Sequence, residues 1–171
     1  MGIGYEFTCE KCGHTYDVML GSGFLLPSVY EEAIEDIREG KMGEEYREIL
    51  LENPWAAVDC ENELYKCRCG NWSVEQCNDL YLPKDPEAVR KMKYGEKTAE
   101  ELGELPYVMQ WELKENFTLA RQREHRCKMC GREMRKILRP EAYVRRYGLP
   151  CPKCGAKNRF VLGETPVMYW D

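Results

Sequence analysis

Histidine is nearly absent from this 171-residue sequence, with two copies, which removes the commonest ligand of open, catalytic zinc. No H-E-x-x-H, no H-x-E with a downstream P-C-x-x-C and no G-x-S-x-G occurs, so the hydrolase and deaminase signatures are missing. Gly21-Ser22-Gly23 has no following lysine and lacks the spacing of a phosphate-binding loop. No stretch approaches the roughly 18–20 apolar residues of a membrane span, and the apolar residues 18–27 are interrupted by those same glycines. The opening MGIGYEFTCEKCGH has neither a basic region nor an apolar core, so no secretion signal is read there and a cytoplasmic location is expected. These absences point away from an enzyme, a membrane protein and a small-molecule binder.

What is present suffices for a folded chain. Hydrophobic residues make up 43% and charged residues 32% of 20.1 kDa, a size that suits one compact domain or two small ones. Charge is polarised. Residues 1–113 hold 11 Lys and Arg against 24 Asp and Glu, net −13, whereas residues 114–159 hold 14 against 4, net +10. A basic segment of this kind either meets an anionic partner or neutralises the acidic remainder of its own chain.

Ten cysteines without a secretion signal point to metal rather than to disulfides. Cys9 and Cys12, Cys127 and Cys130, and Cys151 and Cys154 form three C-x-x-C-G units, and Cys67-Arg68-Cys69-Gly70 is a fourth, one residue shorter. Such a turn points two sulfurs at one ion, and its glycine takes a backbone conformation that a side chain would crowd. Two turns make a tetrahedron of thiolates, so four predict two structural zinc ions. The last two turns enclose 20 residues and the first two enclose 54. Loop entropy prefers this sequential pairing without excluding a nested one, first turn with last and second with third. In an extended segment Cys67 and Cys69 would face opposite ways, so Cys60 or Cys77 could substitute, although a buried thiol is the commoner role for an odd cysteine. His14 and His125 flank turns, neither at a clean ligand spacing.

The first gap reads as a helical hairpin over about residues 28–53. Ser28 with Glu31 forms a capping box, Tyr30, Ala33, Ile34 and Ile37 fall on one face, and Gly40 stops the helix. Tyr46, Ile49 and Leu50 mark the second helix, ended by Pro54. Short strands are expected around Trp72 and Val74 and over 80–82. Asp85-Pro86 starts a helix running to Tyr94, and Thr98 caps another that ends near Gly103. Alternation predicts a strand over 107–113 with Tyr107, Met109, Trp111 and Leu113 on one face. Further strands are expected over 133–138 and 159–162, a helix from Pro140 to Tyr147, and a docked apolar tail over 166–170. The fold class is small α+β, with domains at 1–82 (a metal-binding hairpin with the helical insertion), 83–105 (a helical connector) and 106–171 (a basic metal-binding hairpin).

At its cysteine turns the chain resembles zinc-ribbon, rubredoxin-like proteins. Residues 5–17, YEFTCEKCGHTYD, are similar to the first knuckle of rubredoxins, and residues 149–155, LPCPKCG, to their second. The resemblance implies two zinc ribbons, short antiparallel hairpins whose knuckles supply four cysteines to each ion. It also raises iron, electron transfer and the nested pairing. Four turns instead of two, and the distance between the two rubredoxin-like ones, depart from the family. A ribbon by itself names no activity.

A four-sulfur site leaves no position for water or substrate, so a non-enzymatic role by macromolecular contact is expected. The leading expectation is nucleic-acid binding through Arg121, Arg123, Arg126, Arg132, Arg135, Lys136, Arg139, Arg145 and Arg146, since arginine suits phosphate and neighbouring tyrosines suit bases. The alternative is a protein-interaction adaptor or inhibitor using the acidic helical hairpin.

Overall fold

A computed structural model describes residues 2–23, 25–158 and 160–162, together with a strand at Met168–Trp170. In chain order, strands β1 (Gly2–Cys9) and β2 (Thr15–Leu20) precede helices α1 (Leu26–Arg38) and α2 (Glu44–Glu52). Strands β3 (Ala57–Val58), β4 (Asn62–Lys66), β5 (Trp72–Gln76) and β6 (Leu80–Pro83) follow. Next come α3 (Pro86–Arg90), β7 (Lys93–Tyr94), β8 (Lys97–Thr98), α4 (Ala99–Leu102) and α5 (Gln110–Asn116). The chain closes with β9 (Phe117–Arg121), β10 (Arg135–Lys136), α6 (Pro140–Tyr147), β11 (Phe160–Leu162) and β12 (Met168–Trp170). No helix among the described residues is long and apolar enough to cross a membrane.

These elements sort into two units, neither contiguous in sequence. One, the cysteine unit, gathers Met1–Phe24, Asn62–Gln76 and Glu124–Asp171; the other, the helical unit, gathers Leu25–Glu61 and Cys77–Arg123. The expected blocks at 1–82, 83–105 and 106–171 are therefore replaced by an interleaved division. The reason is strand pairing between distant segments.

In the cysteine unit, β1 pairs β2 from Ile3 to Thr8, and its other edge is shared by β11, with Cys9 opposite Phe160, and β12, with Gly2 opposite Trp170. A second sheet runs β10-β4-β5. The plan is used twice. A hairpin turns at a knuckle, and a strand arriving after a second knuckle pairs with the hairpin's first strand. Phe7, Trp72 and Phe160 cluster at centroid distances of 5.7–6.1 Å, with Leu64, Val144 and Leu149 fully buried around them. Such aromatic groups bury large area and fix the angle between their strands.

The helical unit packs α1 and α2 with the sheet β3-β6-β9 over a separate core that includes Tyr30, Ile37, Val58, Leu80, Val89 and Leu113. The hairpin helices form where expected, with Tyr30, Ala33, Ile34 and Ile37 buried along α1. The start of α1 differs: Ser28 is not its cap, because the helix begins at Leu26 and Pro27 takes an early position where its missing N–H costs nothing. Asp85 caps α3 as expected, accepting from the N–H groups of Glu87 and Ala88, yet the helix ends at Arg90 and the chain turns into the β7-β8 hairpin. Thr98 and Glu101 make the expected capping box on α4.

The strand expected over 107–113 does not form: residues 107–109 are in no regular element and α5 begins at Gln110. The Met109 N–H donates to the Glu112 carboxylate at 2.8 Å, which caps a helix start and leaves Trp111 60% exposed. The strand expected over 133–138 shrinks to β10, and that expected over 159–162 forms at Phe160–Leu162, Arg159 lying outside the described residues. Of the expected apolar tail, Pro166 and Val167 lie outside the described residues, and Met168–Trp170 pairs with β1.

Candidate metal centres

Each knuckle is built by its own backbone. In the three C-x-x-C-G turns the glycine N–H returns to the carbonyl of the first cysteine, as from Gly13 to Cys9, Gly131 to Cys127 and Gly155 to Cys151, at 2.8–2.9 Å. The first cysteine's N–H in turn reaches the residue after the glycine: His14, Arg132 and Ala156. The short turn repeats both bonds with one residue fewer, Gly70 to Cys67 at 3.0 Å and Cys67 to Asn71 at 2.8 Å. The knuckle glycines have φ of 66°, 69°, 68° and 99°, the left-handed region that explains their residue type. The turn keeps Cys67 and Cys69 on one side, so neither Cys60 nor Cys77 is needed.

The eight sulfurs gather into two groups of four. Cys9, Cys12, Cys151 and Cys154 form an outer centre, and Cys67, Cys69, Cys127 and Cys130 an inner one, with sulfurs inside each group all within 4.8 Å. The pairing is nested, which corrects the sequential expectation. Across the outer centre, Cys9 to Cys154 is 3.7 Å and Cys12 to Cys151 is 3.8 Å; across the inner, Cys67 to Cys130 is 3.5 Å and Cys69 to Cys127 is 3.6 Å. A disulfide would need about 2.05 Å. A tetrahedron with metal–sulfur bonds of about 2.3 Å has edges of about 3.8 Å, so both groups are the size a metal ion requires.

The protonation pattern suits the same use. Burial acts to raise Cys9, but the N–H groups of Cys12 and Lys11 and the adjacent thiols outweigh it and lower the group to about 7. Cys127 behaves alike, lowered to about 6 against its burial by the N–H groups of Met129 and Cys130. Cys12 accepts from the His14 N–H but is pushed up to about 11 by burial and its neighbouring thiols. Cys69 accepts from the Asn71 N–H and is pushed up to about 12, first by Cys67. Four adjacent thiols hold one another's protons, and a cation among them would displace those protons.

Supporting groups surround the inner centre, and no sequence motif marks them. Asn71 directs its Nδ2 at Cys127 Sγ from 3.5 Å. His125 is buried, but its Nδ1 faces Glu75 Oε2 at 3.0 Å and its ring stacks on Tyr65 at 3.9 Å; it belongs to neither sulfur group. Burial acts to raise Glu75, yet the hydrogen bonds from His125 and Ser73 outweigh it and hold the carboxyl low. Trp72 Nε1 donates to the Pro150 carbonyl at 2.8 Å, tying the inner hairpin to the residue before Cys151. His14 lies over Phe160 at 6.1 Å. Cys60 and Cys77 are buried in the helical unit, outside both centres, and burial pushes the Cys60 thiol well up.

The nine basic residues expected at a nucleic-acid surface divide between the two units and differ in their partners. Arg121 and Arg123 belong to the helical unit, where Arg121 pairs with Glu45 at 2.9 Å and Arg123 donates to the Met42 carbonyl at 2.7 Å. In the cysteine unit, Arg126 pairs with Glu124, Lys136 with Glu63 and Arg145 with Glu141. Arg132, Arg135, Arg139 and Arg146 are exposed and make no ion pair with an acid among the described residues. Compared with family models, with curated proteins and with solved structures, the chain finds no match.

Proposed function

We propose that this is a two-zinc protein whose centres hold a fold together and whose cysteine unit contacts nucleic acid. A donor set of four sulfurs, which by itself fills a tetrahedral ion's coordination, supports structural rather than catalytic zinc. The two groups correspond to two zinc ribbons, the N-terminal hairpin being followed by the helical insertion. Reduced thiols of this kind suit the cytoplasm. Rubredoxin-like electron transfer would use the same sulfurs with iron, and a coloured, iron-bearing protein would contradict the zinc reading.

One observation carries the nucleic-acid contact: the exposed cations of the cysteine unit that have no acidic partner among the described residues. Arg132, Arg135, Arg139 and Arg146 are joined there by exposed Arg68, Lys153 and Lys157. The unit has 14 Lys and Arg against 10 Asp and Glu, net +4, while the helical unit has 11 against 20, net −9. Guanidinium groups without an acidic partner are available to phosphate. Replacing Arg132, Arg135 and Arg139 by glutamate is expected to abolish binding to nucleic acid at moderate salt with zinc content unchanged. Replacing Arg121 and Arg123 is expected to leave binding intact. Equal effects from the two sets, or no binding by the wild type, would overturn the proposal.

The net −9 of the helical unit favours a second reading, contact with a basic protein. A cavity of about 220 Å³ there is bordered by Glu31, Glu35 and Glu104 beside Arg38. Pull-down with a variant carrying lysine at those three glutamates would lose such a partner.

A further inference from the structure

We propose that the nucleic acid recognised by this surface is single-stranded, and that helix α6 supplies a platform on which one of its bases stacks. This rests on the nucleic-acid reading above and narrows it.

The helix is docked by Val144, which is fully buried, and by the partly buried Tyr143, whose hydroxyl accepts from Lys66 Nζ at 2.8 Å. Its last residue, Tyr147, is 50% exposed, an uncommon place for so large a ring in a helix that has a buried face available. The ring is held on two sides. Tyr143 lies 5.0 Å away at 49°, and the guanidinium of Arg146 lies over the ring at 5.1 Å from its centroid. With half of its surface open and a guanidinium that has no acidic partner beside it, Tyr147 offers a base an aromatic contact, by stacking on the ring or by displacing Arg146 from it, and offers the phosphate a cation within one residue. Leu138, 84% exposed, precedes Arg139 at the other end of the helix and repeats the pairing of an apolar group with such a cation.

The same helix is poorly made for a duplex groove. Its outward side includes Glu141, which holds Arg145 at 3.0 Å and would face phosphates if the helix lay in a groove. With eight residues it spans about 12 Å, and the cations without acidic partners, Arg139 and Arg146, lie at its two ends. A base in a duplex keeps its faces stacked on its neighbours, so a lone exposed tyrosine gains nothing from it. A base in a single strand is free to leave its neighbours and cover the ring.

The experiment uses the full, zinc-loaded chain and fluorescence anisotropy with a labelled strand of about 15 nucleotides and mixed sequence, alone and annealed to its complement. The wild type is expected to bind the single strand at least about tenfold more tightly than the duplex. Tyr147→Leu, which keeps an apolar side chain and removes the π-face, is expected to weaken single-strand binding about tenfold and leave duplex binding unchanged. Zinc content of that variant, measured in parallel, reports that the centres remain assembled. Duplex binding as tight as single-strand binding, or an unchanged single-strand affinity in Tyr147→Leu with two zinc ions retained, would overturn the platform while leaving the nucleic-acid reading standing. Binding to neither probe would overturn both.

Discussion

The two units reach stability by different means. Among the described residues, the helical unit buries an apolar cluster of eighteen side chains and has no group of four sulfurs. The cysteine unit spans a similar length but divides its buried apolar residues into clusters of ten and four, the smaller one made of Tyr65, Cys67, Cys127 and Met134. A set of short strands with so little apolar burial needs a cross-link, and its two groups of four sulfurs could provide one by holding metal ions. The helical unit needs none. Its glutamate-rich surface is free to be acidic because its core alone opposes chain entropy.

Metal removal should separate the units most sharply. A strong chelator at neutral pH is expected to abolish hydrogen-exchange protection in β1, β2, β4 and β5 while α1, α2 and β6 keep theirs. Uniform loss across the chain would erase the distinction.

Core truncation sharpens it further. Ile37→Ala in the helical unit is expected to cost about 2–5 kcal/mol without altering metal content. Phe160→Ala removes a fully buried ring opposite Cys9 and is expected to cost about 3–5 kcal/mol and also to weaken retention of the outer metal. Equilibrium denaturation with metal analysis on both variants measures the two effects together.

A smaller effect concerns the glycine that ends α6. Gly148 has φ of +61°, and a Cβ there would lie 2.6 Å from the Asn158 carbonyl oxygen, whereas one at Gly103 in the helical unit meets nothing within 4 Å. Gly103→Ala is expected to cost about 1–2 kcal/mol from backbone strain alone, and Gly148→Ala more than that, because backbone must also move. Thermal denaturation of the pair checks the order.

The knuckles were legible because their chemistry is local: two sulfurs, a short turn and a glycine are all specified within five residues. Helix faces were legible for the same reason, and the apolar spacing along α1 matches its buried residues. Knuckle pairing was not. The difference in closure entropy between sequential and nested pairing is less than about 2 kcal/mol. Packing of Phe7 and Phe160 with the partly buried Trp72 outweighs it, since each fully buried Phe side chain contributes about 1.5–3 kcal/mol. That packing joins residues from three distant segments, so no local pattern announces it. Alternation over 107–113 misled because seven residues fit two periods, and the Met109–Glu112 cap decided for helix. Among the basic residues, a sequence counts charges but does not show which ones their own acids occupy, as Glu45 does Arg121 and Glu141 does Arg145.

The central claim is the nested arrangement of the two centres, and metal stoichiometry of two double variants by native mass spectrometry tests it most directly. Cys12→Ser with Cys154→Ser removes ligands from one centre only and is predicted to leave one metal ion per chain. Cys12→Ser with Cys69→Ser strikes both centres and is predicted to leave none. The reverse result, none in the first variant and one in the second, would mean that neighbouring knuckles pair in sequence and would contradict the account.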